Sequence, residues 1–421
     1  MGLPGGRRVI PLDSATRSER EARPTGRGRS ASRSSAPRLG QLDGLRGIAV
    51  LAVLLFHTSL FPGGFLGVDL FFTLSGFVIT AGLLREAGAT RRIDLLAFLG
   101  RRARRLLPAL LALLGLVLIA TALLATPAVR HNAIDDLPWA LAQLANWHFI
   151  GAGISYGHIT DVHVFAHLWS IAVEWQFYLV WPVVIGVLAR RARGERLLTA
   201  LIIGATIVSA ALMAVYAVSD TTRAYEGTDT RASALLLGAL AATPPVRRLA
   251  ESLRHGWASF AAGMLAVALL ALWLIADGTD ALWLYRGGFL AHSVVAAAFI
   301  AVLAAQPRIG VSRAIGSAIP RWLGGVSYSV YLWHWPLVVL LPAIPGESGV
   351  WWRAGIVIAG SILLGWMSTR FLERPIQSGA RWARGRSGAI ALVGAGVVIM
   401  LIWLAVPRPD LGAGTVDLDS L

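Results

Sequence analysis

The chain has 421 residues, of which 56% are hydrophobic and only 14% are charged. This composition excludes an ordinary soluble protein and is typical of a polytopic membrane protein. Cysteine is absent, which excludes disulfide bonds, thiolate nucleophiles and cysteine-ligated zinc. The formal net charge is +15, but the arginines lie in short segments between apolar runs, so we predict no nucleic-acid partner.

The first 40 residues are rich in Arg, Ser, Gly and Pro and have almost no apolar periodicity. We predict a disordered basic tail rather than a signal peptide, because no apolar core follows a short basic start. The apolar runs that follow predict an all-α fold, a polytopic transmembrane helix bundle of about ten to eleven spanning helices. These runs cover residues 44–60, 66–84, 106–125, 169–189, 198–218, 231–243, 257–276, 288–305, 322–342, 352–371 and 389–407.

The arginines predict the orientation of these helices. With the N-terminus in the cytoplasm, the arginine-rich loops all fall on the cytoplasmic side, and the C-terminus is extracytoplasmic. The run at 231–243 is short for a crossing, but omitting it would reverse the later loops and break this pattern. The predicted cytoplasmic loops lie at residues 85–105, 190–196, 247–254, 308–321 and 374–386.

The first apolar run contains two ionisable residues, Arg46 and His57, with ten residues between them. At ~100° per residue both project from one face of a helix, and they lie roughly 16 Å apart along its axis. Ionisable groups inside a membrane are costly and commonly functional. The alternative is an arginine whose charge reaches the interface and a hydrogen-bonded structural histidine.

The second run carries the motif FFTLSG at residues 71–76. Together with the spacing of Arg46 and His57, this motif resembles acyltransferase family 3, and further similarity extends over most of residues 41–376. Members of that family are integral membrane acyltransferases that commonly O-acylate extracytoplasmic carbohydrates. The resemblance implies a plasma-membrane enzyme of bacterial type that transfers an acyl group, expected to be acetyl, from cytoplasmic acyl-CoA. The acceptor would be a hydroxyl of an extracytoplasmic glycan or glycolipid, with no permanently bound cofactor.

The same resemblance suggests a division of the chain. Many members carry an esterase-like domain after an extra final helix, so this chain is either a stand-alone form or one from which such a domain has been trimmed. We divide it into a basic cytoplasmic tail (1–40), a transmembrane acyltransferase domain (41–376), a basic cytoplasmic loop (377–387), an additional transmembrane helix (388–407) and an extracytoplasmic tail (408–421).

Two overlapping Arg-x-x-Arg pairs occupy residues 101–105, on the predicted cytoplasmic side. Guanidinium groups three residues apart on a helix can bind phosphate together, although ordinary positive-inside charge would give the same pattern. The family has such a pair here, and Arg102 and Arg105, in register with Pro108, are the best matches. The resemblance implies that they bind the phosphates of acyl-CoA, and we assign Arg101 and Ser75 to the same donor site.

The segment HLWSIAVEWQFY at residues 167–178 also resembles the family. At helical spacing its polar residues share one face, which favours a lined cavity over a hydrogen-bond network inside the bundle. The family often has a second glutamate where Trp175 stands here, which leaves one carboxylate. The residues on this face are His167, Ser170, Glu174 and Tyr178.

A zinc site is a further possibility in this region. His163 and His167 are four residues apart, with His158 and Asp161 nearby. No third helical ligand is evident, and the family pattern already explains His167, so we predict no metal.

A polar and aromatic stripe is predicted in the run at 322–342, where the motif SYSVYLWHWP again resembles the family. The alternative is an aromatic belt at the membrane interface. The residues step by three or four and share a face, and we assign them to the acceptor cavity: Tyr328, Tyr331, His334 and Trp335.

We therefore interpret the chain as a membrane O-acyltransferase. His57 would deprotonate the acceptor hydroxyl or be transiently acylated, and Glu174 would orient its imidazole or accept a proton. Arg46 would bind a donor phosphate or the carbonyl oxygen. A proton-coupled transporter is the alternative, because intramembrane His, Glu and Arg also form proton pathways, but inverted repeats are not evident. A membrane scaffold would leave the polar stripes unexplained.

Overall fold

The computed structural model describes residues 39–154, 163–191, 193–279, 281–342, 346–378 and 385–409. Within these ranges every regular element is a helix, which confirms the all-α class. The predicted tails lie almost entirely outside the described residues, as do the middle of the predicted loop at 377–387 and the considered zinc ligands His158 and Asp161.

The described ranges contain seventeen α-helices. Short 3₁₀ segments precede two of them, at Pro62–Phe65 and Ala166–Leu168. The helices are α1 (Gly40–His57), α2 (Leu66–Thr90), α3 (Leu95–Leu124), α4 (Pro127–Leu141), α5 (Ala145–Ala152), α6 (Trp169–Leu188), α7 (Gly194–Ser219), α8 (Thr221–Glu226), α9 (Thr228–Ala241), α10 (Pro244–Ser252), α11 (His255–Ile275), α12 (Phe289–Ala305), α13 (Gly310–Ile315), α14 (Ala318–Leu340), α15 (Glu347–Met367), α16 (Arg374–Ser378) and α17 (Gly385–Ala405).

Nine of the described helical segments are long and apolar enough to cross a bilayer, namely those containing α1, α2, α3, α6, α7, α11, α12, α15 and α17. This confirms the predicted polytopic bundle. The other two predicted crossings are also helical, as α9 and α14. With 14 residues, α9 is roughly 21 Å long, which is short against a hydrocarbon core of about 30 Å. With 23 residues, α14 is long enough but less apolar, because it carries the predicted polar stripe.

In its described residues, the connection at 126–168 contains the helices α4 and α5 and a 3₁₀ turn. The sequence Asp135-Asp136-Leu137-Pro138-Trp139 resembles a helix start, but no helix begins there. The helix α4 begins at Pro127, because the Thr126 side chain caps it by accepting from the backbone N–H of Val129, and proline is favoured at the first helical position. The acidic pair consequently lies inside α4.

Glycines bring two pairs of helices close together and so position the walls of the bundle. Between α1 and α14, a Cβ atom at Gly324 would lie only 1.6 Å from the carbonyl oxygen of Asp43. Between α2 and α9, a Cβ atom at Gly76 would lie 1.9 Å from the carbonyl oxygen of Leu235. Small residues allow this approach in membrane bundles. The contacts hold α1 against the polar stripe of α14 and hold the FFTLSG motif against α9.

Candidate active site

A cavity lies between α1, α2, α3, α6 and α14, and we call it the arginine cavity. The five helices are far apart in sequence, so only the packed bundle creates this site. Its wall contains nine of the predicted site residues: Arg46, Ser75, Arg102, Arg105, Ser170, Glu174, Tyr178, Tyr328 and Tyr331.

The carboxylate of Glu174 is held by two hydroxyl groups in this cavity. Ser75 donates a hydrogen bond of 2.7 Å to Oε1, and Tyr178, one helical turn away, donates one of 2.8 Å to Oε2. These bonds join α2 to α6. The structure thus brings Glu174 together with the hydroxyls and arginines of the cavity, whereas the sequence hypothesis paired it with His57.

Three guanidinium groups share the cavity with that one carboxylate. The guanidinium carbon of Arg102 lies 5.9 Å from the ring centroid of Tyr178 and 5.5 Å from that of Phe98. Arg46 forms an ion pair of 3.1 Å with Asp43 one turn earlier on α1. Positive charge is therefore in excess in the cavity wall, and planar guanidinium groups suit the binding of phosphate or carboxylate.

The two overlapping Arg-x-x-Arg pairs of α3 lie on different faces of the helix. Arg102 and Arg105 line the arginine cavity. Arg101 is outside its wall, is half-exposed and pairs with Glu86 at 3.2 Å. Arg104 lines a separate apolar groove between α3 and α17. At ~100° per residue a shift of one position rotates a pair to another surface, so only one pair can face the cavity.

A second group of predicted residues, which we call the histidine cluster, lies at the C-terminal end of α1. His57 is the last residue of α1, and its Nδ1 atom is 3.2 Å from Nε2 of His334. The ring centroid of Trp335 is 4.9 Å from that of His57, and the ring centroid of His167 is 5.6 Å from that of His334. The cluster thus consists of His57, His167, His334 and Trp335.

Tyr331 links the arginine cavity to the histidine cluster. It lines the cavity, and its ring centroid is 5.1 Å from that of His334. Its hydroxyl lies 2.9 Å from the carbonyl oxygen of His167 and 2.7 Å from Oγ of Ser170, which is itself 3.3 Å from the same carbonyl oxygen. The predicted stripe on α14 therefore runs from one group of residues to the other.

His167 does not share the helical face that the sequence predicted. It lies in the 3₁₀ turn that precedes α6, since α6 begins only at Trp169. Its ring consequently packs against those of Tyr331 and His334. Ser170, Glu174 and Tyr178 of α6 line the arginine cavity without it.

His163, considered above as a zinc ligand, contacts a carboxylate of α4. Its Nδ1 atom lies 3.0 Å from Oδ2 of Asp136, and Nε2 of His148 lies 3.1 Å from Oδ1 of the same residue. In the part of the chain that the structure describes, no group of three or more His, Cys, Asp or Glu side chains is placed to hold a metal ion.

The sequence analysis missed a buried ion pair between α2 and α9. Nη2 of Arg231 lies 2.7 Å from Oδ2 of Asp69, and both side chains are almost fully buried. Both are charges inside apolar runs, which was the signal that could have revealed them. Aromatic rings surround the guanidinium, with centroids 4.6 to 5.7 Å away, and belong to Phe72, Trp169, Tyr225 and Phe289.

Comparison with known proteins identifies the family. The model of a family described as an acyltransferase domain matches residues 39–370, which is most of the chain. The chain belongs to this acyltransferase family. The match includes the arginine cavity and the histidine cluster, and it confirms the resemblance that the motifs predicted. The additional helix α17 lies beyond the matched residues.

Three relatives are similar over most of this chain. Peptidoglycan O-acetyltransferase OatA of Listeria monocytogenes is 34% identical over 345 residues, which cover 80% of this chain and 55% of that protein. O-acetyltransferase OatA of Staphylococcus aureus is 36% identical over 352 residues, covering 80% and 57%. The putative peptidoglycan O-acetyltransferase YrhL of Bacillus subtilis is 36% identical over 351 residues, covering 80% and 54%. The chain thus spans just over half the length of these curated relatives, and no solved structure is significantly similar to it.

Proposed function

We propose that this chain is a membrane O-acetyltransferase that takes an acetyl group from cytoplasmic acetyl-CoA and transfers it to a hydroxyl of an extracytoplasmic glycan. One observation carries the proposal: a cavity lined by three arginines is joined to a cluster of histidines by Tyr331, which lines the cavity and packs against His334. The first group of residues suits the donor, and the second suits proton transfer. The names of the relatives support an acetyl group and, for two of them, peptidoglycan as the acceptor.

The donor phosphates would bind to Arg46, Arg102 and Arg105. All three face one cavity, and the positive-inside pattern predicts that this end of α1 and α3 is cytoplasmic. The cavity volume is about 90 Å³. Pockets that hold a whole drug-sized ligand are roughly 300–1,000 Å³, so only part of the donor would enter the cavity as it stands.

The histidine cluster would carry the chemical step. The acceptor oxygen attacks the thioester carbonyl carbon while His57 takes the hydroxyl proton. The C–O bond of the new ester forms, the C–S bond breaks, and the thiolate of coenzyme A leaves and takes that proton from the imidazolium of His57. Because Arg46 is roughly 16 Å from His57 along α1, we assign it to the donor phosphates rather than to the reacting carbonyl.

The acceptor would approach from the extracytoplasmic side, where the predicted topology places the end of α1. Tyr328, Tyr331, His334 and Trp335 were predicted to line an acceptor cavity. The packing of Trp335 and His334 around His57 supports this role for the outer part of the stripe. Tyr328 lines the arginine cavity and donates to the carbonyl oxygen of Leu106 at 3.0 Å, which fits the donor side better.

The test is acetyl transfer by the purified protein in lipid nanodiscs, with labelled acetyl-CoA and soluble peptidoglycan fragments. We expect His57→Gln to lower the rate at least about a hundredfold, since an amide cannot act as a base. Binding of acetyl-CoA should persist. His131→Gln is the matched control, because His131 is half-exposed on α4 and pairs with Asp135.

Two results would contradict the proposal. One is a wild-type protein that transfers no acetyl group to the glycan in the presence of acetyl-CoA, as a transporter would behave. The other is a His57→Gln protein that transfers acetyl groups at the wild-type rate.

A further inference from the structure

We infer that His334, together with the carbonyl oxygen of Val53, keeps the hydrogen of the neutral His57 ring on Nδ1, so that the lone pair needed for catalysis is on Nε2. His334 is then a positioning residue, which acts through His57. This inference rests on the proposed function for its consequence in catalysis, but the tautomer itself can be measured without any reaction.

The first step concerns the protonation of His334. Its Nδ1 atom forms a hydrogen bond with the carbonyl oxygen of Tyr331, one turn earlier on α14. A carbonyl oxygen can only accept, so Nδ1 of His334 must carry the hydrogen. The side chain is fully buried, which disfavours the charged form of the ring. A neutral imidazole with hydrogen on Nδ1 has a lone pair on Nε2.

The second step transfers this constraint to His57. Nδ1 of His57 lies 3.2 Å from Nε2 of His334 and 3.0 Å from the carbonyl oxygen of Val53. Both neighbours are acceptors, so Nδ1 of His57 must be the donor, and its hydrogen is shared between them. The neutral ring therefore has its lone pair on Nε2. That is the form that can take a proton or attack a carbonyl carbon.

The Val53 carbonyl and the His334 ring have different effects on the His57 imidazole. The Val53 carbonyl belongs to the same helix as His57 and lies one turn earlier, so it favours hydrogen on Nδ1 wherever α1 is formed. His334 belongs to α14, which packs closely on α1 through Gly324. The contact with Nε2 of His334 therefore fixes the orientation of the His57 imidazole relative to the polar stripe of α14. An orienting partner of this kind is common for histidines whose second nitrogen does the chemistry.

Two substitutions at His334 distinguish the effect of the acceptor atom Nε2 from the effect of the volume of the side chain. His334→Gln places an amide oxygen near the position of Nε2, and His334→Leu fills similar space without an acceptor. Both remove the hydrogen bond to Tyr331, so they are matched in that respect. Equal binding of acetyl-CoA by the two variants would show that the donor site is intact in both.

The direct measurement is the ¹⁵N NMR spectrum of the ring nitrogens in protein labelled at its nine histidines. The signals of His57 are those that disappear in His57→Gln. We expect a protonated Nδ1 and an unprotonated Nε2 of His57 in the wild type and in His334→Gln. In His334→Leu only the Val53 carbonyl remains as an acceptor, so we expect a measurable fraction of the His57 rings to carry the proton on Nε2. A proton on Nε2 of His57 in the wild type would overturn the inference.

The second measurement is the rate of acetyl transfer. We expect His334→Leu to lower kcat about 10- to 100-fold, as for a lost buried hydrogen bond, and His334→Gln to restore most of it. Equal losses in both variants would overturn the inference, because a structural role does not distinguish them. If the wild type transfers no acetyl group, the proposed function fails, and the NMR spectrum still decides the tautomer.

Discussion

Asp69 and Arg231 form an ion pair of 2.7 Å whose side chains are only 2% and 1% exposed. The pair joins α2 to α9 in the same interface where Gly76 meets the backbone of α9. It is close in sequence to Phe72 and Ser75, which line the arginine cavity. We therefore regard it as the link that holds that wall of the cavity in place.

Breaking this pair should be strongly destabilising. Asp69→Asn leaves a buried guanidinium without its counter-ion, and we expect a loss of about 3–5 kcal/mol in stability. Replacing both residues by apolar ones of similar size, as in the double variant Asp69→Leu with Arg231→Met, should recover most of the lost stability. The apparent unfolding temperature in one detergent measures both effects. Glu251→Gln is the control, since its exposed pair with Arg247 should contribute about 1 kcal/mol or less. An Asp69→Asn protein as stable as the wild type would refute this role.

The division of the α3 arginines predicts a difference between two double variants that remove the same charge. Arg102→Gln with Arg105→Gln should weaken acetyl-CoA binding at least about tenfold, because charge-assisted contacts are commonly stabilising by about 1.5–3 kcal/mol before solvent screening. The double variant Arg101→Gln with Arg104→Gln should change the affinity for acetyl-CoA much less, because these residues lie outside the cavity wall. The measurement is the dissociation constant at one fixed salt concentration. Equal weakening would mean that α3 acts only through its net charge.

Glu174→Gln should strengthen donor binding. The carboxylate is the one negative charge among three arginines in the cavity wall, and it opposes incoming phosphates by about 1 kcal/mol in the screened setting of a partly exposed site. Its loss should lower the dissociation constant of acetyl-CoA several-fold. Glutamine has an NH2 group in place of one carboxylate oxygen, so one of the hydroxyls of Ser75 and Tyr178 would have to accept a hydrogen bond instead of donating one. Tyr178→Phe removes a hydrogen bond without changing charge and is the control. Weaker donor binding in Glu174→Gln would instead make the carboxylate a direct ligand.

The number of crossings can be tested because the chain contains no cysteine, so one introduced thiol labels one position. Asp277→Cys follows α11, and Ser317→Cys precedes α14; both positions are exposed. With α9 and α14 as crossings, we expect Asp277→Cys to react with an impermeant reagent from outside and Ser317→Cys to be protected. The positive-inside pattern supports this result. The reverse labelling would mean that only the nine longer or more apolar spans cross. A bundle of nine crossings and one of eleven both predict residue 386 in the cytoplasm and residue 421 outside, so labels at those two positions would not distinguish them.

The sequence alone determined the helical class, the positions of the long apolar helices and the types of residue at the site. Apolar runs and their arginine-rich loops are local features, and a bilayer requires its spanning segments to satisfy their own backbone hydrogen bonds, so length and hydropathy are sufficient. The motifs also identified the family, which the match over residues 39–370 confirmed. The helix start at Thr126 was missed although its signal, a capping threonine before proline, is local as well.

Only the tertiary structure decided which of these residues meet. Helical periodicity could place Arg101 with Arg104 and Arg102 with Arg105, but the rotation of α3 in the bundle determines which pair faces the cavity. In the same way, Glu174 is hydrogen-bonded by Ser75, which is 99 residues away in the chain. Such contacts depend on close approaches at glycines between distant helices, and hydropathy does not encode the partner or the rotation of a helix.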